Sequence, residues 1–217
     1  MLNAEAVTAT EKFVRNKLEG EGSGHDWWHV FQVRNHALLI GKEEGADLYI
    51  VELAALLHDI ADWKFTDGDE TVGPRVAREW LESLAVAEDA IRHVSGIIEH
   101  ISFKGAGAEN KITTLEGKVV QDADRLEALG AIGIARCFAY GGHKCKPIYD
   151  PTVKPVMHDG FASYKKNQSH SINHFYEKLL LLKERMNTAA GKRLAESRHC
   201  FMEQFLEQFF KEWELMS

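Results

Sequence analysis

From Thr113 to Tyr140 the chain is apolar on nearly every face of a helix. A helix with no polar face cannot stand in water, so it must be central and surrounded by other elements. The rest of the sequence supplies those partners as further helices. Residues 4–19 read as a first helix ending near Gly20 and Gly22, and residues 27–44 as a second that stops at Gly45. Asp26 is placed to cap the second helix, because its carboxylate can accept backbone N–H groups of the first turn. Asp47 is placed to cap a third helix, in which Ile50, Leu53, Ala54 and Leu57 recur at i, i+3, i+4 and i+7. Residues 74–86, opened by Pro74, and 88–101 make two more. The long helix breaks near Gly130, and the dipeptide Gly141-Gly142 reads as its C-terminal cap. Residues 104–111 form a loop. Residues 143–168, with Pro147, Pro151 and Pro155, are irregular and too long for a simple connector, which suits a lid or an oligomer contact. Amphipathic helix resumes over 170–216, where Phe201, Phe205, Phe209, Phe210 and Trp213 fall about four apart and read as packing. No stretch alternates in the manner of a strand. The expected class is all-α.

Composition narrows the function. At 217 residues and 45% hydrophobic, the chain suits a single domain. A formal charge of −7 with no basic block disfavours extended nucleic acid and anionic membranes as partners, although a local cation can still hold a phosphorylated substrate. Cys137, Cys145 and Cys200 lack the spacing of a disulfide framework or a zinc ribbon. No apolar run is long enough to cross a bilayer and the first residues lack a signal-peptide core, so a soluble, cytoplasmic protein is expected.

Chemistry is concentrated in the histidines, of which there are 11. The doublet His58-Asp59 ends a strongly apolar helix, AALLHDIADW, where unpartnered polar groups would be costly. A divalent cation satisfies several such groups at once, and mixed imidazole and carboxylate ligation suits manganese, iron, cobalt, nickel, zinc or magnesium. Adjacent helical residues point about 100° apart, so the doublet grips an ion from one edge and needs ligands from neighbouring helices. His29 and Asp124 are placed to supply them. Asp122 is a rival to Asp124, and periodicity does not choose between them because this helix is buried on both sides. His25 lies four residues before His29 in a pre-helical loop, where it supports the site or touches substrate. His93 and His100 share a helix face and read as substrate contacts, packing residues or ligands of a second metal. Asn173, His174 and Lys178 share a face of the tail and read as surface.

Together, His29 in DWWHVFQV, His58-Asp59 in LLHDIADW and Asp124 in VVQDADRLEALGAIGIAR resemble the HD-domain phosphohydrolase superfamily over residues 25–140. The tail resembles a branch of small stand-alone bacterial HD hydrolases. The resemblance implies an HD-type helical bundle with a C-terminal helical extension. It selects Asp124 over Asp122 and implies a metal site of His29, His58, Asp59 and Asp124, with manganese favoured. It also implies that Asp62 helps position water or the leaving group, and that Lys64 and Arg125 supply positive charge to a phosphate. The implied activity is metal-dependent hydrolysis of a nucleotide or related phosphate ester, with pyrophosphate release from nucleoside triphosphates preferred over dephosphorylation. Two other outcomes are an HD-fold di-iron oxygenase, which requires His93 and His100 as ligands, and a catalytically silent nucleotide-binding module.

Overall fold

The structure is a computed structural model and describes residues 3–20, 24–61, 69–103, 105, 107–157 and 169–214. In chain order the helices are α1 (Asn3–Leu18), α2 (Trp27–Glu44), α3 (Leu48–Leu57), α4 (Val72–Ser83), α5 (Glu88–His100), α6 (Leu115–Glu127), α7 (Gly130–His143), α8 (Ser171–Glu177) and α9 (Ala189–Trp213). Two 3-10 turns, Leu179–Leu181 and Lys183–Arg185, separate α8 from α9. No strand occurs among the described residues, and no described helix is long and apolar enough to cross a membrane. The all-α expectation holds.

The chain forms two compact units. The first comprises residues 1–103 and 109–124, and the second 104–108 and 125–217. In the first, α3 is the central rod. Ile50, Val51, Leu53, Ala54, Ala55, Leu56 and Leu57 are all buried, because α1, α2 and α5 pack around it. Asp47 caps α3 with its carboxylate, accepting the Tyr49 and Ile50 N–H groups at 2.9 and 3.4 Å. Asp26 caps α2 in the same way, and Gly45 ends it in the left-handed region that favours glycine (φ 76°). Gly41 of α2 lets α3 and α6 approach closely, since a Cβ there would lie 3.1 Å from Leu48 and 3.5 Å from Val119. The middle of α6 is fixed by a reciprocal amide pair. Asn110 Nδ2 donates to Gln121 Oε1 at 2.9 Å, and Gln121 Nε2 donates to Asn110 Oδ1 at 3.2 Å and to the Ile101 carbonyl at 3.1 Å.

In the second unit α7 packs on α9 and α8. The long apolar segment is broken between Glu127 and Gly130 (φ 71°), as its glycine implied. The Gly141-Gly142 cap is a correction: α7 runs through both glycines to His143. Gly141 is there for contact, because a Cβ would sit 2.2 Å from Ser171 Oγ. At Gly133 the obstacle is backbone, with the Ala128 carbonyl 2.3 Å from the position of a Cβ. The short helix α8 pins the preceding irregular chain. His170 Nδ1 accepts the Asn173 N–H at 3.1 Å as the cap, His170 Nε2 and Asn173 Nδ2 both donate to the Val153 carbonyl, and Glu177 accepts the Val156 N–H at 3.1 Å. Asn173, expected at the surface, is buried for that reason. The tail aromatics pack as expected: Phe205 stacks on Phe175, and Phe209, Phe210 and Trp213 surround Tyr149 edge-on, while Phe201 is exposed.

Gly133→Ala must displace backbone, whereas Gly141→Ala meets a hydroxyl that can rotate away. Urea unfolding should show Gly133→Ala destabilised by about 1–3 kcal/mol, and Gly141→Ala by less. Burial pushes the Cys137 thiol up to about 12, against an opposing pull from Lys178 and Lys146. Cys145 and Cys200 are exposed. Because the thiolate is the reactive form, a colorimetric thiol reagent should titrate two cysteines in the native protein. Cys137 should react only after unfolding.

Candidate metal centre

The first unit brings its chemistry together where α2 begins and α3 ends. The Asp26 carboxylate that caps α2 takes the backbone N–H of His29 at 3.0 Å, which sets His29 in the first turn, facing inward and almost wholly buried. His58 follows the last residue of α3, and its turn places Asp59 beside it. His58 Nδ1 lies 2.8 Å from the Ala55 carbonyl. A carbonyl only accepts, so Nδ1 carries the proton and Nε2 presents a lone pair to the site. That Nε2 lies 3.3 Å from His29 Nε2.

Two carboxylates complete the group. Asp59 Oδ2 is 3.3 Å from His29 Nε2 and 3.6 Å from His58 Nε2. Asp124 Oδ1, from α6, is 3.6 and 3.8 Å from the same two nitrogens. Ligands held at about 2.0–2.2 Å from one ion lie roughly 3–3.6 Å apart at adjacent positions. The observed spacing therefore fits a single divalent cation with little movement. The donor set fits as well, because two close imidazole nitrogens, one of them unprotonated, with two carboxylates suit a borderline cation. Burial raises the Asp59 pKa, but His58, His25 and His29 outweigh it and hold the carboxyl well below the usual range, so Asp59 stays anionic. Asp124 is the open side of the cluster, its side chain 33% exposed where those of His29 and His58 are 1% exposed.

The two alternatives for the fourth position now separate. Asp124 reaches the imidazoles. Asp122 is fully buried and belongs to neither of the two metal-competent groups among the described residues, which are His29–His58–Asp124 and His25–His29–Asp59. His25 lies in the second of these, with Nδ1 2.8 Å from Asp59 Oδ2 and its ring edge-on to His29. The remaining candidates lie elsewhere. His93 Nε2 is 3.5 Å from Glu116, whose carboxylate also takes the Asp47 N–H. Neither His93 nor His100 enters a metal-competent group among the described residues, so the six-ligand set of a di-iron site is not assembled from them. Arg125 is buried and donates to the Arg185 carbonyl, bracing the second unit. Asp62 and Lys64 lie outside the described residues.

Two contributions escaped the sequence. The bond from His25 to Asp59 had only the four-residue spacing to His29 as a signal. The Asn110–Gln121 pair had one faint signal, an amide in the middle of an apolar helix.

A model of the HD domain matches residues 27–129. The Bacillus subtilis protein YpgQ is 42% identical over 203 residues, covering 92% of this chain and 90% of YpgQ. The crystal structure of YpgQ in complex with ADP aligns at a TM-score of 0.73 and 36% identity, covering 95% of this chain and 97% of that one. An HD-superfamily hydrolase from Bacillus thuringiensis aligns at a TM-score of 0.73 and 47% identity over 98% of both chains. A Lactobacillus plantarum protein reaches a TM-score of 0.89 at 38% identity, covering 99% of this chain and 100% of its own.

Gln121→Leu strands the Ile101 carbonyl and breaks the reciprocal amide pair that anchors α6 three residues before Asp124. Urea unfolding of the metal-free protein should show a loss of about 1–3 kcal/mol.

Proposed function

The chain belongs to the HD-domain family, and on that premise we propose that it is a divalent-metal-dependent phosphohydrolase whose ligands are His29, His58, Asp59 and Asp124. The observation that carries this function is the convergence of two buried imidazole nitrogens 3.3 Å apart with two carboxylates, each of which lies 3.3–3.8 Å from both nitrogens. The relative named as an HD-superfamily hydrolase supports hydrolysis as the reaction class.

The substrate is a nucleotide or related phosphate ester. YpgQ, crystallised in complex with ADP, supports a nucleotide as the ligand, and release of pyrophosphate from a nucleoside triphosphate is the preferred reaction. The cation, with manganese favoured, supplies a water acidified toward neutrality and draws charge from phosphorus. The chain's residues do the rest. The Ala55 carbonyl holds the His58 proton on Nδ1 and so keeps Nε2 available as a ligand. Asp59 stays anionic under its three imidazoles. Asp124, the exposed ligand, lies on the side from which substrate enters. Asp62 assists proton movement and Lys64 contacts phosphate.

The test is release of phosphate and of pyrophosphate from a nucleotide panel with manganese, cobalt, nickel, magnesium and zinc, and with chelator. Pyrophosphate should appear with manganese and vanish with chelator. Since the metal contributes several kcal/mol to the transition state, His58→Ala and Asp124→Ala should each cut turnover by about 10³-fold or more. Asp122→Ala should retain part of it. Nucleotide binding without release under any metal would instead indicate a silent binding module. Visible absorbance with oxygen uptake after iron loading would indicate an oxygenase.

A further inference from the structure

We propose that His25 is the positioning residue of the metal centre, acting through the carboxylate of Asp59; this rests on the hydrolase function proposed above. The sequence placed His25 loosely beside the site. In the structure its Nδ1 is 2.8 Å from Asp59 Oδ2, the shortest contact made to that oxygen by any of the three imidazoles around it. A carboxylate only accepts, so the His25 proton is on Nδ1. The oxygen it grips is the one turned toward His29 Nε2 and His58 Nε2.

That choice of oxygen has a consequence for a cation. Once the Nε2 lone pairs of His29 and His58 are committed to an ion, neither nitrogen has a proton to offer Asp59. Orientation of the carboxylate then falls to the His25 Nδ1–H. Its loop is built for the task. Gly24 adopts the left-handed region (φ 87°), His25 follows it, and Asp26 is anchored to the His29 N–H. Two consecutive side chains thus set two ligands: Asp26 fixes the backbone of His29, and His25 fixes the carboxylate of Asp59.

Partners that orient a metal's ligands typically change affinity by about 10–100-fold when removed. The structure also specifies which ring nitrogen matters. An asparagine amide nitrogen is bonded directly to Cγ, as Nδ1 is, whereas the glutamine amide lies one carbon further out. Manganese affinity of the purified full chain, measured by the electron paramagnetic resonance signal of free Mn²⁺, should therefore weaken about 10–100-fold in His25→Ala. It should recover largely in His25→Asn and remain weak in His25→Gln. Wild-type affinity in His25→Ala overturns the proposal, as does recovery in His25→Gln without recovery in His25→Asn. If the wild-type chain binds manganese, failure of this pattern leaves the metal centre standing and removes only the role of His25. If the wild-type chain binds none, the metal centre itself falls, and this role falls with it.

Discussion

Two imidazole nitrogens 3.3 Å apart, nearly sealed from water, are the constraint around which the first unit is organised. Buried polar groups are expensive unless each finds a partner. The fold answers with two carboxylates, and by fixing the His58 proton on the far side of its ring. The apolar burial of α3 sets how deep His58 sits, because residues 53–57, which lead into it, are all fully buried. The cap of α2 sets how far His29 can move. Stability and chemistry therefore draw on the same residues: the central rod that drives packing also delivers the doublet.

The electrostatics are local. The chain as a whole is acidic, yet the cluster sets an anionic Asp59 among imidazoles at its most buried point. Asp59 illustrates the balance. Burial works against its charge, and three neighbouring imidazoles restore it. Asp124 does the converse, remaining partly in water at the open edge of the cluster.

Much of this was legible beforehand. The caps Asp26, Asp47 and Gly45, the break at Gly130 and the bounds of α2 follow from local chemistry, and the structure reproduces them. His29, His58, Asp59 and Asp124 stood out because histidine and aspartate in apolar helical surroundings demand an explanation. What escaped depended on contacts distant in sequence. The glycines at 141 and 142 read as a helix end because glycine commonly ends helices, but α7 continues through them and Ser171 explains why position 141 stays small. Asn173 read as surface because it shares a helix face with His174 and Lys178; it is buried because residues 153–156 lie over it.

The amino-acid order by itself determined that the protein is helical, where most helices start and stop, and which residue types could gather a cation, because caps, periodicity and polarity act within a turn or two of chain. Only the tertiary structure decided that Asp124 and not Asp122 faces the imidazoles, that His25 donates to Asp59, and that His93 is engaged by Glu116. Those outcomes depend on the rotation of one helix against another. A rotation of that kind is set by the packing of whole apolar faces, and no local pattern encodes it.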